Sequence, residues 1–113
     1  MRLINKTKNT VLATEVKIAG TIFTRLKGLL GKKELPKGEA LVIKSCNSIH
    51  TFFMRFPIDV LFVDKGNRVV EVISSLPTFR ISAIYFKASF AIELPSGTIT
   101  PASVSKGDIL LIE

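Results

Sequence analysis

Along most of this chain hydrophobic and polar positions alternate in short runs, each cut off by Gly, Pro, Asn or Ser. Residues 2–5 and 10–18 read as strands on either side of the polar Lys6-Thr7-Lys8-Asn9, a pattern that predicts a hairpin. In the second run Leu12, Val16 and Ile18 share one parity, while Val11 and Ala13 share the other. The period changes once. Ile22, Phe23, Leu26, Leu29 and Leu30 recur at helical spacing, Thr21 suits the N-cap and Gly31 the position after the last turn. A helix is therefore predicted over 22–30. Further strands are predicted over 39–44, 68–74, 89–94 and 109–112, with turns at 64–67, 95–98 and 106–108. Residues 78–88 keep no period and read as a loop with room for a short extended piece. Many short strands with a single short α-helix near the N-terminus predict a mostly β fold, a compact β-barrel or sandwich in one domain over 1–113.

The densest stretch is Cys46 to Asp64, CNSIHTFFMRFPIDVLFVD, which holds the only Cys and the only His. If residues 46–56 are extended, Cys46, Ser48, His50, Phe52, Met54 and Phe56 share one face. Asn47, Ile49, Thr51, Phe53 and Arg55 share the other. Pro57 interrupts, having no N–H to give to a sheet. Ile58 to Val63 is then apolar on both faces except at Asp59, as in a strand buried on both sides. A carboxylate there needs a partner or must stay protonated. His50 and Arg55 are the near candidates in sequence.

Length and composition narrow the class. With 113 residues, 47% of them hydrophobic and 22% charged, the chain is long enough for one real core. The N-terminal residues lack the apolar segment of a signal peptide, no apolar run is long enough to span a bilayer, and a single Cys makes no internal disulfide. These features point to a cytoplasmic monomer with no membrane role. The absence of Gln and Trp with abundant Lys and Ile agrees with a thermophilic source. No cofactor motif is present and no metal or cofactor is expected. The net charge is +7, and residues 1–44 carry all of it, with ten Lys and Arg against three Asp and Glu. Such a field favours anionic partners. Without a base-reading motif it predicts at most weak, sequence-independent nucleic-acid binding confined to that part, and its ordinary reading is a solvated lysine-rich surface. In the 78–88 loop, Phe79, Arg80, Tyr85 and Phe86 interleave aromatic and basic groups, as in surfaces that stack on bases; more commonly such a loop packs over the core.

Several of these residues together resemble the family catalogued as domain of unknown function 192. The carriers are Arg25 and Gly28-Leu29-Leu30, the block Ser48 to Asp59, then Phe62 and Asp64, Glu93-Leu94-Pro95-Ser96-Gly97, and Gly107-Asp108. Many family members have Trp where this chain has Phe53. The resemblance implies a compact mostly β fold with a short helix and no established activity, so it implies no catalytic residue.

The chemistry of the central stretch admits four active readings. Cys46 and His50 can be a nucleophile and its base, oriented by Asp59. Cys46, His50 and Met54 are soft ligands of the kind that hold copper, although they lack the paired spacing of strong metal motifs. His50, Met54, Arg55 and Asp59 can line a site for a small ligand or protein partner. The basic N-terminal part can meet nucleic acid. Against these stands a structural role, with His50 and Asp59 a polar pair bracing the core. The sequence favours a small cytoplasmic β-rich ligand- or partner-binding domain rather than an enzyme, its site near His50, Met54, Arg55 and Asp59. The alternative is a hydrolase-like or redox enzyme using Cys46 and His50.

Overall fold

A computed structural model describes residues 1–20, 33–52 and 54–113. The helix predicted over 22–30, and Phe53, lie outside the described residues. Among the described residues eight strands form two sheets: β1 (Leu3–Asn5), β2 (Thr10–Ala13), β3 (Glu15–Ala19), β4 (Glu39–Lys44), β5 (Ile58–Val63), β6 (Val69–Leu76), β7 (Phe90–Pro95) and β8 (Leu110–Ile112). The smaller sheet has the order β2-β1-β8, the larger β3-β4-β7-β5-β6. Neighbouring strands are antiparallel except β3 and β4, which run parallel. Among the described residues the helix is α1 (Ile99–Ala102), in the C-terminal part of the chain. The fold is thus mostly β, as expected, but the barrel alternative does not hold: no closed barrel forms among the described residues. The sheets end in edge strands β2, β8, β3 and β6, and approach each other through the Arg68–Ile109 bridge.

The predicted run 10–18 is two strands rather than one. The amides of Thr14 and Glu15 both donate to the carbonyl of Gly38, at 2.8 and 3.1 Å. That pinch turns the chain out of the smaller sheet and into the larger one. Gly38 has φ +89°, a conformation glycine adopts readily. The turn between β5 and β6 closes as predicted, with Asp64 Oδ1 accepting from the amides of Gly66 and Arg68 and Asn67 at φ +62°.

Alternation along β5 and β7 divides the core into two layers. Leu61, Val63, Ile92 and Leu94 join Leu3, Leu12, Val42, Ile99 and Leu110 between the two sheets. Ile58, Val60, Phe62 and Ala91 face the other way, where Ile49 and Met54 cover them with Tyr85 packed alongside. The Phe62 and Tyr85 rings lie 4.6 Å apart at a tilt. This second layer places the segments that follow β4 and β6 over the larger sheet.

Candidate functional site

The segment predicted to be extended over 46–56 is not a strand. Among its described residues only His50 joins a bridge, to Ile81. Thr51 explains the departure. Its Oγ1 donates to the Pro77 carbonyl at 2.6 Å and accepts from the Arg80 amide at 2.9 Å, while its carbonyl accepts from the amides of Met54 and Phe79. A hydroxyl that competes for backbone groups favours such turns over a regular ladder. The same bonds lay residues 79–85 antiparallel along 47–52, with further bonds from the Ser82 amide to Ile49 and from the Tyr85 amide to Asn47. The Ser82 hydroxyl adds another, accepting from the Ile49 amide.

This arrangement sorts the side chains. Ile49, Thr51 and Met54 are buried, whereas His50, Phe52 and Arg55 are exposed. The imidazole of His50 stacks on Phe52, centroids 5.4 Å apart, and its Nδ1 accepts from the Phe52 amide. Across the pairing lie Phe79 and Ile81, followed by Ile84 and Phe86; Phe79 is 56% exposed and Phe86 85%. Five of the eight exposed large hydrophobic side chains among the described residues therefore belong to these two neighbouring segments. The cations within these two segments are Arg55, Arg80 and Lys87, and residues 46–57 and 77–92 contain no Asp or Glu. Cys46 is half-buried against the second core layer, and its thiol donates to the Ser48 carbonyl. No hydrogen bond joins it to His50.

Asp59 is placed elsewhere. It is fully buried, on the opposite face of β5 from Ile58 and Val60. Its Oδ1 accepts from the Ser75 amide at 2.7 Å, and its Oδ2 from the amides of Thr98 and Ile99, both at 2.9 Å. The carboxylate thus serves backbone donors at the start of α1 and at Ser75, a residue with φ +51°. It makes no ion pair with His50 or Arg55. Of the four residues grouped by sequence, His50 and Arg55 are exposed, Met54 is buried in the second core layer, and Asp59 lies on the opposite face of β5 from that layer. Among the described residues, no three His, Cys, Asp or Glu side chains gather as metal ligands.

Sequence reasoning overlooked Glu93. It sits in the middle of β7, flanked in register by Leu41 and Val60, and is 4% exposed. Its Oε2 has no hydrogen-bond partner among the described residues, and burial pushes its pKa up to about 7. The signal was the one that singled out Asp59: a carboxylate interrupting a run apolar on both faces, here Phe90-Ala91-Ile92-Glu93-Leu94. Asp108 is the third buried carboxylate. Desolvation pushes it up, but hydrogen bonds from Asn5, the Ser105 amide and Lys8 outweigh that and hold it below its ordinary value.

With this geometry in hand, the family model described as uncharacterized ACR, domain of unknown function 192, matches residues 3–112. The chain belongs to this family. A UPF0127 protein of Thermococcus sibiricus is 36% identical over 110 residues, covering 94% of this chain and 71% of that one. A UPF0127 protein of Pyrococcus horikoshii is 37% identical over 100 residues, covering 84% of each. These sources agree with the thermophilic composition. Two solved structures share the fold: a protein of unknown function from Novosphingobium aromaticivorans, with a TM-score of 0.85, 17% identity and coverage of 99% of this chain and 84% of that one; and a putative transcription regulator from Sinorhizobium meliloti, with a TM-score of 0.80, 19% identity and coverage of 97% and 89%. The family match over residues 3–112 includes the central block.

Proposed function

We propose that this family member is a small cytoplasmic binding domain. Its site is the outer surface formed by His50, Phe52, Arg55 and residues 79–87, and its occupant is an anionic molecule with an apolar or aromatic body. The observation that carries the reading is the concentration of Phe52, Phe79, Ile81, Ile84 and Phe86 at the surface, beside three cations and no carboxylate. A large apolar patch exposed on a soluble domain marks an interaction site more often than chance. Leaving those side chains in water forgoes about 25 cal/mol for each Å² of apolar area that the core would have covered. His50 and Arg55 belong to this site, with the His50 ring held against Phe52. An imidazole accepting at Nδ1 carries its proton on Nε2 when neutral, which leaves one donor for the occupant. Met54 supports the surface from below, and Asp59 contributes through the fold alone.

Anilinonaphthalene sulfonate, an aromatic anion, tests the reading. In an NMR titration of the labelled protein, shifts are expected to gather on residues 49–55 and 79–87. Phe79→Ala and Arg80→Ala are each expected to weaken binding several-fold, as truncation of an interface anchor does. Shifts gathered instead on the cleft of about 780 Å³ lined by Thr10, Leu12, Lys37, Ser96 and Pro101 would move the site to the other side of the molecule.

A further inference from the structure

The cleft of about 780 Å³ runs along an open strand edge. We propose that this edge, the outer side of β2, takes up an extended acidic peptide as an added strand. The site shares no residue with the surface proposed above and does not rest on it.

The edge sets the mode of binding. β2 pairs with β1 on one side and, among the described residues, with no strand on the other. Thr10, Val11, Leu12, Ala13 and Thr14 line the cleft in unbroken succession. Side chains alternate across a strand, so successive residues meet one cleft where it follows the strand's edge, and an edge presents backbone N–H and C=O groups. Beyond the ladder with β1, no backbone bond among the described residues engages Thr10 to Ala13. At Thr14 such pairing has already begun. The Gly38 carbonyl accepts from the amides of Thr14 and Glu15, as the backbone of an added strand would do further along.

The walls are preformed. Gly38 and Gly97 stand third in turns closed by the Glu39 amide on the Pro36 carbonyl, at 3.1 Å, and the Thr98 amide on the Pro95 carbonyl, at 3.2 Å. Their φ angles of +89° and +91° are those of type II turns. Asp59 fastens the second turn through the amides of Thr98 and Ile99. A site already ordered loses less entropy when it is filled.

Charge names the occupant. Lys37 is the only charged residue in the lining, and it makes no ion pair among the described residues. Glu15 and Glu39 lie outside the lining, Glu39 paired with Lys17. Lys6, in the turn that leads into Thr10, places a cation beyond the other end of β2. An extended chain with acidic ends meets both. A second copy fits less well. Two copies joined edge to edge about a two-fold axis run antiparallel, which sets Lys37 of one against the Lys6 end of the other.

Fluorescence anisotropy with a labelled peptide of about eight residues, Asp at both ends and Val and Thr alternating between, tests the proposal. In NMR spectra the peptide is expected to shift the resonances of 10–14, 37–38 and 96–98 and to leave those of 50–55 and 79–87 in place. Lys37→Glu changes an exposed side chain. It is expected to weaken binding several-fold at an unchanged melting temperature, and a peptide with Lys at its ends is expected to lose as much. N-methylation of alternate peptide residues decides the mode. A strand pairs through one edge, so methyl groups on one parity are expected to abolish binding and on the other to preserve it. Equal effects from the two parities would overturn strand addition. Equal binding of the Lys-ended peptide would overturn the acidic class. No binding by the parent protein, or shifts confined to the His50 surface, would overturn the site. A dimer in sedimentation that protects the Thr10–Ala13 amides from exchange, and that the peptide does not dissociate, would assign the edge to a second copy instead.

Discussion

Asp59 and Glu93 are two buried carboxylates one strand apart, and they differ in what surrounds them. Asp59 accepts three backbone N–H groups, so the charge that burial would penalise is met by fixed dipoles. Asp59→Asn turns an amide donor toward those donors. It is expected to destabilise the fold by on the order of 3 kcal/mol in urea denaturation. Glu93 has no such donors. Its pKa, raised from 4.5 to about 7 by burial, means that the folded protein holds a proton that the unfolded chain gives up. Stability is therefore fully present below pH 4.5, declines as pH rises toward about 7, and levels off beyond it. The loss is about 3 kcal/mol over that window. Glu93→Gln is expected to flatten this decline, which denaturation midpoints at either end of the window will read. Asp108 runs the other way: its lowered pKa supports the fold above the ordinary value and ceases to do so as pH falls through the folded one.

At the scale of elements, the chain states its strands better than its connections. The runs that became β4, β5, β6 and β7 were legible because alternation and turn residues are local signals. The switch at Thr14 was not, because the acceptor that pinches the chain, the Gly38 carbonyl, lies far along the sequence. α1 escaped notice for the same reason: four residues carry little periodicity, and the group that receives its first amides is Asp59, in a distant strand. The central segment misled in a different way. Its parity was read as a strand, and His50 and Phe52 do share a side, but Thr51 diverts the backbone into turns, so Met54 goes inward and Asp59 belongs to another face. The candidate site was thus half legible: His50 and Arg55 are exposed, while Phe79, Tyr85 and Phe86 were legible as rings interleaved with basic groups, in a loop whose commoner reading was packing over the core. Thr51→Val removes the hydroxyl at nearly constant volume and leaves the Arg80 amide without its side-chain acceptor. It is expected to cost about 1–3 kcal/mol. It should also speed hydrogen exchange at Phe79, Arg80 and Ser82 well beyond the global change, and exchange that rises uniformly would show that the hydroxyl does not fasten this segment locally.

As a whole molecule, the protein is two sheets sharing one core layer, with a second layer on the outer face of the larger sheet. The likeness to solved structures at 17 and 19% identity shows how few of the residues the fold requires. No helix among the described residues is long and apolar enough to cross a membrane. The smaller sheet joins the two ends of the chain. β1 lies between β2 and β8, Leu3 beside Ile112, and the amides and carbonyls of Arg2 and Glu113 bond each other. Lys8 and Asn5 fasten the first turn to Asp108. During synthesis, the second partner of β1 therefore emerges only after β2 to β7. Until residues 110–112 emerge from the exit tunnel, one flank of β1 is an unfilled edge and Asn5 lacks its carboxylate. The nascent chain must wait with that edge open, exposed to pairing with a neighbouring copy on the same messenger.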